Sequence, residues 1–370
     1  MTASSAMNGP ERRKTKHQRV FDHLSRDIVA GRYQAGQKLP SESALVRRFG
    51  VSRITIGHAL RELQQRGLID RVAGSGTYVR DVSVHARKGL LFGLIIPNLG
   101  ETEIFEPICQ GIVASHEAKG HALLWAHADA GSRDKEQQAL QLCRQSIERG
   151  VNGVFFAPLE MTERSGDINR RVMRMLRQAG IAVVLLDCRP KDAGPRAHVD
   201  MVGIDNHRAG YLAAEHLLRM EARRVGFVAY RNQASTVRLR IAGYRDALAA
   251  HGRETGSRVF HISAHSHLPP HLSLLECDGF VCANDRVAGH LMQTLIARGI
   301  RIPADARIVG IDDVNYASLL PVPLTTIHQP CREIGEMALR TMLERLDRPA
   351  LPGRDILLDC SLVVRRSCGS

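Results

Sequence analysis

One set of polar side chains occurs at a spacing suited to contacting nucleic acid. The segment VSRITIGHALRELQQ places apolar residues at i, i+3, i+4 and i+7 from Ile56. The opposite side of this predicted helix carries hydroxyl, imidazole and guanidinium groups, at Ser52, Arg53, Thr55, His58 and Arg61. Guanidinium groups bind phosphates, and short polar side chains contact base edges in the major groove. The pattern therefore predicts a helix that reads DNA.

A second set of polar side chains closes a series of short apolar runs. Carboxylates or an amide end four of these runs, at Asp187, Asp205, Asn284 with Asp285, and Asp312. Each one alone can be explained as a helix cap, and Asp205 and Asp285 are well placed for that role. Several on successive strand ends suit a polyhydroxylated ligand better, because each hydroxyl needs both a donor and an acceptor. The second set therefore predicts a polar ligand site.

The DNA-reading helix belongs to a predicted winged helix-turn-helix at residues 16–80. Apolar residues at helical spacing around Leu24 predict a first helix, and Ser41 is a capping signal for a second. Gly50 separates the second helix from the third, which is the reading helix. Two short apolar strands then surround a glycine-containing tip at residues 74–76, where positive φ angles are needed.

The rest of the chain, residues 90–370, has a different pattern. Short continuous apolar runs such as GVFFAP and AVVLLD alternate with amphipathic segments of helix length. This alternation predicts an α/β fold of parallel sheets covered by helices on both faces. Such sheets bind ligands at the carboxyl ends of their strands, where the second polar set lies. The polar segment at 81–89 is the predicted linker between the two parts.

The positive charge of the chain is concentrated in its N-terminal part. Residues 1–80 hold 15 Lys or Arg and 6 Asp or Glu, which supplies +9 of the net charge of +13. This placement agrees with DNA binding, which releases counterions from phosphates. We expect residues 1–15 to form a flexible basic tail.

The sequence also limits the compartment of the protein. The chain has no apolar run long enough to span a membrane, and its first residues lack the apolar centre of a signal peptide. The eight cysteines form no C-x-x-C pair and are scattered among apolar runs. Reduced core thiols in a cytoplasmic protein are therefore expected.

Three linked motifs resemble the GntR family of bacterial regulators. LPSESAL, VSRITIGHALRELQQRGLI and GSGTYV follow the order and spacing of that family. The resemblance implies DNA contacts from the second helix, the start of the third helix and the wing, at Ser43, Ser52, Arg53, Thr55, Gly74, Ser75 and Gly76. Gly57 stands where the family usually has Arg. Either a DNA contact is lost or His58 and Arg61 replace it.

Residues 90–367 resemble LacI/GalR regulators and periplasmic sugar-binding proteins, on the segments GLIIP, RIAGYRDAL, ANDRVA and IPADARIVGIDD. The resemblance implies two lobes, joined by three crossovers, that close on a small ligand. The first lobe would contain residues 89–200 and 329–355. The second lobe would contain residues 201–328 and the C-terminal strands.

This second resemblance also implies a set of ligand-binding residues: Phe105, Asp187, Arg240, Asn284, Asp312 and Gln329. The family pattern has Arg directly after the Asp, but here Cys188 lies between Asp187 and Arg189, so the resemblance does not assign a ligand contact to Arg189. Glu103, in the loop after the first strand, matches the family poorly.

Other chemistries have weaker support in the sequence. The histidines at 261, 265, 267 and 271 could bind a metal, but two prolines and the lack of a nearby Cys or carboxylate ligand favour a surface loop. No phosphate loop, dinucleotide fingerprint or nucleophile elbow occurs. We therefore expect no metal, no cofactor and no enzyme activity.

The two resemblances together imply a ligand-responsive transcription regulator of the AraR-like type. The favoured function is repression by a cytoplasmic homodimer that binds an operator in double-stranded DNA and is controlled by a sugar. Two alternatives remain open. One is a regulator corepressed or activated by a non-sugar ligand such as a nucleobase, and the other is a sugar-processing enzyme.

Overall fold

The chain divides into two compact units, with the division between Gly89 and Leu90. The computed structural model describes residues 16–29, 32–34, 36–65, 68–72, 75–79, 89–97, 103–125, 134–190, 199–253, 257–262 and 276–369. The predicted tail at 1–15 and the predicted linker at 81–89, except Gly89, lie outside these residues.

The N-terminal unit contains three helices and one hairpin. They are α1 (Lys16–Val29), α2 (Glu42–Phe49), α3 (Arg53–Gln65), β1 (Ile69–Val72) and β2 (Gly76–Val79). The Ser41 hydroxyl accepts a hydrogen bond from the amide of Ala44 and caps α2, and Gly50 ends that helix at φ +62°. The strands pair antiparallel, with Ile69 opposite Val79.

The core of this unit is built from the apolar sides of its helices. Leu24 of α1, Leu45 of α2 and Ile56, Leu60 and Leu63 of α3 are buried together. Because these residues occupy one side of each helix, the polar side of α3 is left exposed. This arrangement is the predicted winged helix-turn-helix.

The C-terminal unit alternates strands and helices. Its strands are β3 (Leu91–Ile95), β4 (Ala122–Leu124), β5 (Gly153–Phe156), β6 (Ala182–Leu186), β7 (Asp200–Ile204), β8 (Val225–Tyr230), β9 (Arg258–Ile262), β10 (Gly279–Cys282), β11 (Arg307–Asp312), β12 (Thr325–His328), β13 (Asp355–Leu358) and β14 (Ser361–Val363). Its helices are α4 (Phe105–Ala114), α5 (Lys135–Glu148), α6 (Ser165–Gln178), α7 (Asn206–Arg219), α8 (Ser235–Ala250), α9 (Asp285–Ala297) and α10 (Cys331–Asp347). Short 3-10 helices lie at His116–Ala118, Asn315–Leu319 and Arg366–Cys368.

These strands form two six-stranded sheets, one in each lobe. The first sheet has the order β13-β7-β6-β5-β3-β4, and all of its strands are parallel. The second has the order β14-β12-β11-β10-β8-β9, in which only β14 runs antiparallel to its neighbour. Every residue of β5 and β10 is buried, as expected for strands covered on both faces. The predicted α/β fold is confirmed.

The expected boundary between the lobes is wrong for two strands. Both β7 and β13, which the sequence assigned largely to the second lobe, pair with each other in the first sheet. The reason is a buried ionic cluster at the start of β7. Asp200 is fully buried and accepts hydrogen bonds from Arg345 Nη2 at 2.8 Å and Arg354 Nε at 3.1 Å. These arginines come from the segment that leads into β13, so the cluster joins both strands to the first lobe.

Three crossovers connect the lobes. They follow β7, β12 and β13, and the chain passes through residues 205, 329–330 and 359–360. Within the described ranges, no helix combines the length and apolar character needed to cross a membrane.

Candidate functional site

The start of α3 presents its polar groups to solvent. The Ser52 hydroxyl accepts a hydrogen bond from the Thr55 amide at 3.2 Å, so Ser52 caps the helix. The side chain of Arg53 is 76% exposed, and His58 and Arg61 are exposed further along the helix. The first turn of α3 and the guanidinium group of Arg53 therefore both face solvent, as a helix that reads a DNA groove requires.

A single carboxylate connects α2, α3 and the wing. Glu42 accepts a hydrogen bond from Arg53 Nε at 3.2 Å through one oxygen and pairs with Arg71 through the other. Ser43, a predicted DNA contact, is exposed beside Glu42 at the start of α2. The Glu42 pairs orient Arg53 before any DNA is bound, and they are exposed enough to be exchanged for phosphates.

The wing also has a defined geometry. The hydroxyl oxygens of Ser75 and Tyr78 lie 2.7 Å apart. Gly76 has a φ of +136°, and a Cβ at this position would overlap the side chain of Lys38. The backbone angle therefore favours glycine at position 76, whereas the flexible Lys38 side chain could move aside. The other predicted wing glycine, Gly74, lies outside the described residues.

A cavity of about 260 Å³ lies between the two lobes of the C-terminal unit. Five of the six predicted ligand residues line it: Phe105, Asp187, Arg240, Asn284 and Asp312. The sixth, Gln329, is buried behind Asp312 and donates a hydrogen bond from Nε2 to Asp312 Oδ1 at 2.6 Å. Gln329 therefore supports a cavity residue instead of lining the cavity.

Arg240 is the central residue that the second lobe contributes to the cavity wall. Gly210 of α7 and Gly243 of α8 allow these helices to touch, because a Cβ on either would overlap the backbone of the other helix. The close approach places Arg240 Nε 2.8 Å from Asn206 Oδ1, and Nη1 2.6 Å from the carbonyl of Ala283. Within the described residues Nη2 has no protein partner, so it is available to a ligand.

Two aspartates face each other across this cavity from different lobes. Asp187 follows β6 in the first lobe, and Asp312 ends β11 in the second. Both have positive φ angles, +69° and +126°, which are uncommon for residues other than glycine and recur at ligand sites. Arg240 Nη1 lies 3.3 Å from Asp312 Oδ1.

The charge state of these aspartates depends on their surroundings. Removal from bulk water raises the pKa of Asp187 to about 6; Arg240 opposes this shift, while Glu160 and Asp312 add to it. Burial likewise raises the pKa of Asp312, although Arg240 and Gln329 favour its charged form. A ligand hydroxyl that donates a hydrogen bond to either carboxylate would favour its charged form.

The structure adds cavity residues that the sequence did not identify. Glu160, Tyr230, Asn232 and Arg286 all line the cavity. Tyr230 is the last residue of β8, so the strand-end rule that selected the aspartates could have found it, whereas Glu160 lies four residues beyond the end of β5. Asn232 and Arg286 are at the first turns that follow strands, and no sequence signal marks them.

Polar contacts cross from one lobe to the other at the rim of the cavity. Glu160 Oε1 accepts a hydrogen bond from the amide of Ser235 at 2.8 Å. The carbonyl of Met161 accepts one from Asn232 Nδ2 at 3.1 Å. These contacts hold the lobes together around the cavity.

The helix-cap explanation applies to one of the predicted carboxylates. Asp205 accepts a hydrogen bond from the amide of Arg208 at 3.0 Å and caps α7. Asp285 does not cap α9, because Asn284 Oδ1 accepts the hydrogen bond from Val287. Asp285 is buried and accepts a hydrogen bond from Thr326 Oγ1 at 2.6 Å, and burial raises its pKa to about 7.

Arg189 has a structural role in the first lobe. It pairs with Asp355 at the start of β13, and its Nη2 donates to the carbonyl oxygens of Val199 and Arg354, each at 3.0 Å. It does not line the cavity. With Cys188 before it, Arg189 contacts neighbouring strands of the first lobe instead of a ligand.

Only His261 of the predicted histidine cluster is among the described residues. Those residues include no group of three or more His, Cys, Asp or Glu side chains arranged to hold a metal ion.

Comparisons with known proteins agree with this two-part organisation. Residues 16–79 match the family described as bacterial regulatory proteins, gntR family, and residues 214–368 match the periplasmic binding protein-like domain. The arabinose metabolism transcriptional repressor of Geobacillus stearothermophilus is 26% identical over 92% of this chain and 94% of its own length.

Two solved structures share the fold of the C-terminal unit. The GntR transcription regulator of Chromobacterium violaceum has a TM-score of 0.57 and 27% identity, and the match covers 76% of this chain and 100% of that one. A LacI family regulator of Enterococcus faecalis with bound ribose has a TM-score of 0.60 and 25% identity, over 75% of this chain and 98% of that one. This chain is a transcription regulator that joins a GntR-family DNA-binding domain to a periplasmic-binding-protein-like domain, as the sequence predicted.

Proposed function

We propose that this chain is a repressor that binds its operator as a homodimer and releases it when a sugar occupies the cavity between the lobes. The proposal includes the predicted DNA contacts of α2, α3 and the wing. One winged helix would read one half-site, so a palindromic operator needs two copies of the chain. Because its target is DNA, the protein would act in the cytoplasm, without catalysing a reaction.

The observation that carries the proposal is the composition of the cavity wall. Asp187 and Glu160 come from the first lobe, and Arg240, Asn284 and Asp312 come from the second. A ligand that bonds to both groups must bring the lobes together, so binding and closure are coupled. Carboxylates, an amide and a guanidinium provide the acceptors and donors that sugar hydroxyls require. The arabinose and ribose named for the relatives support the same class of ligand.

A thermal-shift screen tests the ligand class. The purified full-length protein is heated with pentoses, hexoses, their phosphates and nucleobases. A ligand present at a hundred times its dissociation constant stabilises the protein by about 2.7 kcal/mol, which raises the melting temperature. A hit among free sugars supports the proposal, whereas a hit only among nucleobases would replace the sugar with a different effector.

The sign of regulation needs a second measurement with the same sugar. Operator DNA is first selected from random sequences by the full-length protein and then labelled for fluorescence anisotropy. We expect the sugar to weaken DNA binding by about 5- to 150-fold, the usual range of allosteric coupling. Tighter DNA binding would indicate a corepressed or activated regulator, and conversion of the sugar would indicate an enzyme.

A further inference from the structure

An exposed isoleucine lies on the solvent-facing side of α3, among the predicted DNA contacts. Ile54 is 74% exposed, although it is a large apolar residue between the polar Arg53 and Thr55. The apolar side chains that α3 contributes to the core lie on its other side, where Ile56 is fully buried. Core packing in the N-terminal unit therefore does not explain Ile54.

The glycine one turn later is not explained by the fold either. A Cβ built on Gly57 would meet no described atom within 4 Å, and its φ lies outside the left-handed region. Glycine inside a helix destabilises it relative to alanine, so a residue with a side chain would make a more stable helix here. Residues three apart are neighbours on a helix surface. Ile54 and Gly57 therefore form one notch, with an apolar wall and an uncovered backbone floor.

Cationic and polar groups surround this notch. Arg53 precedes it, and His58 and Arg61 are exposed further along α3. Arg53 is directed by its pair with Glu42, so a phosphate or base can approach the start of the helix in a fixed orientation. Of the groups that base pairs present in the major groove, the 5-methyl of thymine is the apolar one.

We propose that the notch formed by Ile54 and Gly57 receives the 5-methyl group of a thymine, so that each operator half-site carries thymine at one fixed position. The missing side chain at position 57 lets the helix backbone approach the base pair, and Ile54 covers the methyl group. This inference rests on the proposed binding of the operator by α3. It adds Ile54 and Gly57 as residues that select the operator sequence.

Deoxyuridine substitution tests the contact directly, because deoxyuridine differs from thymidine only by that methyl group. Operators are selected from random DNA with the full-length protein, and each thymine of a half-site is then replaced in turn. We expect one position at which the replacement weakens binding about fourfold, the equivalent of one buried methylene. At that position 5-methylcytosine should bind better than cytosine.

Variants assign the effect to the notch. Ile54→Ala should bind the thymine and deoxyuridine operators equally, while Ile296→Ala, an exposed isoleucine on α9, should keep the fourfold difference. Gly57→Arg should shift the preferred base toward guanine, which arginine binds through two hydrogen bonds. Gly57→Ala, which raises helix propensity, should raise the melting temperature, and thermal melts of Ile54→Ala and Gly57→Arg show whether those variants fold.

Three outcomes would overturn the inference. They are a selected site with no fixed thymine, a deoxyuridine replacement without effect at every position, or an Ile54→Ala variant that keeps the fourfold difference. Failure to enrich any DNA sequence would instead refute operator binding itself, and the notch with it.

Discussion

Arg286 of the second lobe donates two hydrogen bonds to Glu103 of the first, from Nη2 at 2.7 Å and from Nε at 3.1 Å. The hydroxyl of Tyr316 adds a third contact to the same oxygen of Glu103, at 3.3 Å. Glu103 and Arg286 both line the cavity and come from different lobes, so this ion pair requires the lobes to lie close together. It joins the lobes at the edge of the ligand site.

Loss of this ion pair should weaken ligand binding, although the cavity residues of the second lobe stay the same. We expect Glu103→Gln to reduce the affinity for the sugar identified by thermal shift by about fivefold or less, because the pair is partly exposed. The reason is a smaller population of the closed form. Isothermal titration calorimetry measures the change. Glu106→Gln, on the exposed side of α4, is the matched control, and equal losses in both variants would contradict the role of Glu103.

Removal of Arg240 should destabilise the C-terminal unit as well as the ligand site. Arg240 and Asp312 are both buried, and the substitution Arg240→Met leaves the carboxylate without its cation. We expect the free energy of unfolding to fall by about 3 kcal/mol. Urea unfolding monitored by circular dichroism measures this value. Arg245→Met, at an exposed position of the same helix, should change it by less than about 0.5 kcal/mol.

Ligand affinity should decrease in acid because of Asp187. Burial raises the pKa of Asp187 to about 6, and the charged groups that face it are Arg240, Glu160 and Asp312. If the carboxylate accepts a hydrogen bond from the sugar, protonation competes with binding, and the affinity at pH 5 should be about tenfold lower than at pH 8. Asp187→Asn should bind more weakly at pH 8 and lose most of this dependence. An unchanged pH profile in the variant would show that another group titrates.

The same pKa shift affects folding stability in the opposite direction. Between the ordinary value of 3.8 and about 6, the folded protein retains a proton on Asp187 that the unfolded chain has released. This contribution therefore favours folding below pH 3.8 and is lost as the pH rises through 6. The contribution of Asp187 can be separated from that of the other carboxylates by comparing how the melting temperatures of the protein and of Asp187→Asn change with pH.

DNA binding should depend on Arg53 and not on the ligand cavity. We expect Arg53→Ala to weaken operator binding by about tenfold and to reduce the slope of binding against salt concentration by about one if the guanidinium contacts a phosphate. Fluorescence anisotropy at several salt concentrations gives both quantities. Sugar affinity should stay unchanged. Arg219→Ala, an exposed arginine of α7, serves as the control, and a loss of both activities in Arg53→Ala would contradict two separate modules.

Sequence periodicity was sufficient to predict most of the elements of this protein. Helix α3, the serine that caps it and the glycine that ends α2 depend on residues within one or two turns, so local rules predict them. The continuous apolar strands followed by polar residues likewise indicated a sheet edge with Asp187, Asn284 and Asp312. These three residues do line one cavity.

Tertiary structure decided the features that depend on distant partners. The assignment of β7 and β13 to the first lobe follows from Asp200, whose arginine partners lie 145 and 154 residues further along the chain. Gln329 is behind Asp312, and Glu103 meets Arg286 across 183 residues. Periodicity reports which side of an element is buried, but not which residue of another element lies against it. For this reason the sequence predicted the edge of each sheet, while the ion pairs that join strands and lobes required the folded chain.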